Sequence, residues 1–128
     1  MKKKSLKRKK NNNFFGDIFS EYSSSYVSDD ISNKEMIQQY INVTAIAWNL
    51  SILKGEKRKF GINKFISDYV INNPIAPEWD VQVLKNDIVN LIDHKDKYYA
   101  EININIVSVE VKVVDGETRL VVVSMQVD

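Results

Sequence analysis

The chain has 128 residues, the length of one domain, with no cysteine and a formal net charge of +1. The missing cysteine excludes a disulfide framework, a thiolate nucleophile and a cysteine-ligated zinc site. A hydrophobic content of 44% with 27% charged residues is ordinary for a globular protein. The near-neutral total hides an asymmetry. The first ten residues hold seven of the eighteen basic residues (Lys2, Lys3, Lys4, Lys7, Arg8, Lys9 and Lys10) and no acidic one, so a basic tail precedes an acidic body. No apolar run of 7–15 residues follows the tail, which argues against a secretory signal.

Residues 1–13 carry no pattern that buries apolar surface and are expected to be a disordered basic tail. In residues 14–28, Phe15, Ile18, Phe19, Tyr22 and Tyr26 recur at helical spacing, while Gly16 and Ser23-Ser24-Ser25 weaken a helix. This reads as an aromatic docking segment that becomes ordered when it packs, on its own domain or on a partner. Residues 29–128 read as a single α+β domain. Ser32-Asn33-Lys34-Glu35 has the pattern of a capping box with Ser32 as the cap. It opens a helix over about 33–54 that Gly55 closes in a left-handed conformation. From Ile41 to Leu53 this helix is apolar nearly all round; at thirteen residues, broken by Asn42, Thr44, Asn49 and Ser51, it reads as a buried helix and not as a membrane span.

Gly55-Glu56-Lys57-Arg58-Lys59 reads as a basic turn. A second helix, about 61–71, carries Ile62, Phe65, Ile66, Tyr69 and Val70 on one face, and the loop Asn72-Asn73-Pro74-Ile75-Ala76-Pro77 ends it. A third, about 78–96, puts Val81, Leu84, Ile88, Leu91 and Ile92 on one stripe. Then the period becomes two. Ala100, Ile102, Ile104 and Ile106 share one parity, and Val107, Val109, Val111 and Val113 the other. A flip of this kind suggests a β-bulge near 106–108, or a strand that passes from one packing surface to another. Asp115-Gly116 signals a hairpin turn, with a return strand over about 118–127. A two-residue loop would pair Val111 with Leu120. A three-residue loop would pair Val111 with Val121, Val109 with Val123 and Val107 with Met125, and its apolar parity is the better match. The fold class is therefore three helices followed by an antiparallel hairpin. Such a ribbon has two open edges that something must cover.

Chemistry is sparse. The one histidine, His94, stands between Asp93 and Asp96 at a helix end, where neighbouring residues do not face one another and the helix dipole stabilises a cation. Gly55 to Gly61 lacks the Gly-Lys-Ser/Thr ending of a phosphate-binding loop. No elbow serine accompanies His94, and the acidic residues lack the spacing of a calcium loop. No catalytic, cofactor or metal residues are assigned, and no small-molecule ligand is expected. The expected function is a non-enzymatic, cytoplasmic interaction module of a bacterial type. It would associate with itself or a protein partner through Phe14, Phe15, Ile18, Phe19, Tyr22, Val121, Val123 and Met125. The alternative is a nucleic-acid or ribosome-associated protein that contacts phosphates through Lys2, Lys3, Lys4, Lys7, Arg8, Lys9 and Lys10, with Lys57, Arg58 and Lys59 as a second cluster.

Overall fold

A computed structural model describes residues 10–24, 26, 27 and 33–127, with the backbone alone for residues 10–14. Among them the order is α1 (Lys10–Ser23), α2 (Lys34–Ile52), α3 (Gly55–Asn72), α4 (Glu78–Tyr98), β1 (Ile104–Val114) and β2 (Glu117–Gln126). The class is α+β, but with four helices where three were expected. The expected tail is cut short at Lys10, where α1 begins; residues 1–9 lie outside the described ones. Two compact units result: one joins α1, α2 as far as Ala45 and the hairpin, the other runs from Ile46 to Asn103.

In the first unit, α1 forms because Phe15, Phe19 and Tyr22 fall on one face and are all buried. Their rings stack in sequence, Phe15–Phe19 at 6.5 Å and Phe19–Tyr22 at 6.1 Å between centroids. Each buried side chain of this size contributes about 1.5–3 kcal/mol, which outweighs the about 1 kcal/mol that Gly16 costs in a helix. The serines end α1 without preventing it: Ser23 Oγ donates to Ser20 O and Ser24 Oγ to Glu21 O. Tyr26 follows and meets the Tyr40 ring edge-on at 5.5 Å.

Asn33 caps α2. Its Oδ1 accepts from the backbone N–H of Glu35 at 2.9 Å and of Met36 at 3.1 Å, and its carbonyl accepts from Ile37. Asparagine offers a short acceptor suited to this position; the expected cap, Ser32, lies outside the described residues. We expect Asn33→Ala to lower stability by about 1 kcal/mol, measured by thermal or urea unfolding. A loss under about 0.3 kcal/mol would mean that the cap is not used in solution.

The hairpin has the bulge where the parity flip placed it, between Ile106 and Ser108. Its register is the two-residue one and not the three-residue one preferred on parity. Val111 pairs with Leu120 and Val109 with Val122, while Glu110 pairs with Val121. Asp115 (φ 53°) and Gly116 (φ 80°) both adopt positive φ, the geometry of a type I′ turn, whose twist matches that of the strands. The bulge keeps Ile104, Ile106, Val109 and Val111 on one face although their parity changes. Of these, Ile106 and Val111 are buried. Leu120 and Val122 share that face and are half-buried.

In the second unit, α2 stops at Ile52, short of the expected 54. Gly55 is left-handed as expected (φ 56°), but it also opens α3, so the basic stretch 55–59 is the first turn of a helix and not a turn between helices. Glu56, Lys57, Arg58 and Lys59 are good helix formers once the end of α2 is covered, and Arg58 covers it by donating to the Leu53 and Ser51 carbonyls. Helix α4 extends two residues past the expected end. Its stripe buries Ile88, Leu91 and Ile92 alongside Ala47, Trp48 and Leu50 of the same unit's core. Helix α3 buries no residue fully; of its predicted face, Ile62, Phe65, Ile66 and Tyr69 are half-buried, while Val70 is exposed.

Candidate interaction surfaces

The observed register decides what the hairpin shows to its surroundings. Because side chains alternate along a strand, Val121, Val123 and Met125 lie on the face opposite Leu120 and Val122. They are 44%, 48% and 60% exposed. Val107, the extra residue at the bulge, and Val114 are exposed as well. Toward the turn the same face becomes charged but neutral in sum: Lys112 sits 3.9 Å from Glu110 and Arg119 3.3 Å from Glu117. Thus the three hairpin residues expected at an interface come together on one outward apolar patch.

The two edges of the ribbon differ. In a hairpin closed by Val114 and Glu117, the backbone groups of Val109, Val111 and Val113 on β1, and of Thr118, Leu120 and Val122 on β2, point away from the partner strand. On β1 the Val109 carbonyl and the Val111 N–H are met by a side chain. Gln38 of α2 donates through Nε2 to Val109 O at 2.9 Å and accepts at Oε1 from Val111 N–H at 2.8 Å. The carboxamide thus stands in for one residue of a neighbouring strand. Its second amide hydrogen goes to Asn42 Oδ1 at 2.9 Å, so all of Gln38's polar capacity is oriented. Helix α1 packs along β2, yet among the described residues the outward backbone groups of Leu120 and Val122 receive no such partner.

The aromatic residues expected at an interface do not join the hairpin patch as free surface. Phe15, Phe19 and Tyr22 are buried and Ile18 is half-buried, so the segment docks on its own chain; the Phe14 side chain lies outside the described ones. The basic residues are divided too. Lys57 and Lys59 are exposed, but Arg58 is committed. It grips Asp96 with two hydrogen bonds of 2.9 and 3.1 Å while capping α2, and Lys54 lies 3.8 Å from the same carboxylate. Lys2, Lys3, Lys4, Lys7, Arg8 and Lys9 are outside the described residues, and Lys10 is the first residue of α1.

Near the sole histidine, the structure assembles two tyrosine rings. His94 lies 5.0 Å from the Tyr98 ring and 6.0 Å from Tyr99, while Asp96 is engaged by Arg58. The residue that sequence reasoning missed is Lys95. It occupies the next position of the α4 apolar stripe and is 2% exposed. Its Nζ sits over the Trp48 ring at 4.8 Å and donates to Ile102 O at 2.8 Å. Burial, then the nearby positive charge of Lys54, lowers its pKa, with Asp96 opposing and Arg58 reinforcing the shift. Also missed was the end of the α3–α4 pair, where Ile71, Ile75 and Trp79 are strongly exposed. Trp79 and Val83 are four residues apart and off the core stripe, a spacing legible in the sequence. Tyr69 Oη donates to Asp80 at 2.7 Å and ties α3 to α4 there; the bond raises the tyrosine's pKa.

Among the described residues, no helix is long and apolar enough to cross a membrane, and no group of three or more His, Asp or Glu side chains is placed to hold a metal ion. No family model, curated protein or solved structure matches the chain.

Proposed function

We propose that this chain is a non-enzymatic protein-interaction module that works through its C-terminal hairpin. The observation that supports this reading is the outward patch of Val121, Val123 and Met125 on a strand whose outward backbone groups at Leu120 and Val122 have no partner among the described residues. Apolar side chains scattered singly on a surface need no explanation, but several on one sheet face beside an unpaired edge form a docking surface. The aromatic segment has a different part: it anchors α1 and so supports the sheet from within the chain. The competing reading, phosphate binding by the basic tail, loses Arg58, which is held by Asp96.

Val123→Lys tests the proposal. Position 123 is exposed, so the folded state should change by less than about 0.5 kcal/mol, checked by circular dichroism and thermal unfolding. Copurification and sedimentation should show loss of the wild-type protein's associations, whether with another protein or with itself. A version with Lys2, Lys3, Lys4, Lys7, Arg8 and Lys9 changed to Gln should keep them. The reverse pattern, together with RNA binding whose log–log salt slope approaches about −5 in the unsubstituted protein, would replace this reading with the phosphate-binding one.

A further inference from the structure

Resting on the hairpin reading above, we propose that the occupant of the β2 edge is a second copy of this chain, paired antiparallel about a two-fold axis, and that Gln38 limits the assembly to a dimer. Three observations lead there. First, an edge of unpaired N–H and C=O groups is completed by an extended backbone, and this chain carries such a strand: Leu120 to Met125 is uncharged and rich in β-branched residues. Second, the strand is compatible with itself. The outward residues of β2 have even numbers, so an axis at Val121 sets Leu120 against Val122 of the second copy and Thr118 against Ser124. Arg119 then falls opposite Val123, and Glu117 opposite Met125. No like charges meet, and the nearby Glu110–Lys112 and Glu117–Arg119 pairs are balanced within each copy. Third, the β1 edge of each ribbon is obstructed at Val109 and Val111, while among the described residues Leu120 and Val122 of the β2 edge are not. With Val109 and Val111 engaged by Gln38, two hairpins joined at β2 make a four-stranded sheet whose outer strands each carry a side chain across the middle of the edge. A two-edged ribbon would instead propagate into an open-ended array.

The chain has no cysteine, so a single introduced one reports on a single contact. Val121 points its backbone toward β1, so across the axis it forms a non-hydrogen-bonded pair, the closer type of cross-strand neighbour and within disulfide reach. Full-length Val121→Cys should form a disulfide-linked dimer on mild oxidation, at a yield at least tenfold above that of a Lys112→Cys control on β1. Wild-type protein should sediment at twice 14.8 kDa, and Gln38→Ala should assemble beyond the dimer while keeping its helical circular dichroism. If Gln38→Ala fails to fold, Val109→Pro, which removes no donor to β2, serves as a second probe: it should leave the dimer intact, because β1 is not the pairing edge. A monomeric wild type at about 100 µM, or a Val121→Cys yield no greater than the control, would overturn the second-copy proposal. If the Val123→Lys-sensitive association with a different protein persists in that case, the hairpin reading stands and only the identity of the occupant changes. If Val123→Lys alters nothing, both fall.

Discussion

Replacing Trp48 with alanine is expected to lower the stability of the fold by about 3–5 kcal/mol in urea denaturation. The side chain is fully buried, faces the Tyr99 ring at 5.8 Å between centroids, and forms the platform beneath the Lys95 ammonium. Its removal leaves a cavity and strips a buried cation of its aromatic partner in one step. A loss below about 1.5 kcal/mol would show that the second unit does not close over Trp48 as described. The Lys95→Met variant then separates packing from charge. Burial holds the Lys95 pKa below its ordinary value of 10.5. Between the folded value and 10.5 the unfolded chain binds more protons, so the stability of the wild type should rise with pH through that window. Below the window the full cost of burying the ammonium is present, and above 10.5 it is gone. Methionine has nothing to titrate. The stability difference between the two proteins should therefore move in favour of the wild type as pH increases toward 10.5, and a difference independent of pH would refute the assignment. Tyr69, whose pKa is raised by its bond to Asp80, is common to both proteins and cancels in the comparison.

Phe19→Ala should cost a comparable about 3–5 kcal/mol, because Phe19 is fully buried between the Phe15 and Tyr22 rings. This outcome distinguishes an anchor from a docking peptide. A segment that orders only on a partner contributes little to the isolated chain, and the substitution would then change stability by less than about 0.5 kcal/mol. Met125→Ala, on the exposed face of the hairpin, is the internal reference and should fall within that smaller range.

The two substitutions mark where the sequence could be read and where it could not. The α3 and α4 faces followed from helical spacing, and Ile88, Leu91 and Ile92 are buried as their stripe implied. Helix α1 was harder, because local propensity opposed it at Gly16 and in the serine run while long-range burial of three aromatic side chains favoured it. Lys95 was hidden for a related reason. A lysine on an apolar stripe is normally drawn outward by its charge, and only the meeting of Trp48 with the Ile102 carbonyl supplies a place to keep it inside. Arg58 looked like a free cation because its partner, Asp96, is 38 residues away in the chain.

By itself, the sequence determined the α+β class of this protein, the approximate spans of α2 and α4 and the turn at Asp115-Gly116, and it offered the bulge at 106–108 as one of two readings of the parity flip. All of these depend on residue spacings of a few positions, which hydrophobic periodicity and turn stereochemistry record directly. What only the tertiary structure decided is the direction in which β2 faces. Leu120 and Val122 are as apolar as Val121 and Val123, so neither parity is excluded by composition. A shift of one residue would have exchanged the inner and outer sets completely. Positive φ at both Asp115 and Gly116 selects the two-residue turn. The bulge then turns Ile104 and Ile106 to the same face as Val109 and Val111. Together they bring Leu120 and Val122 onto that face and leave Val121, Val123 and Met125 outside.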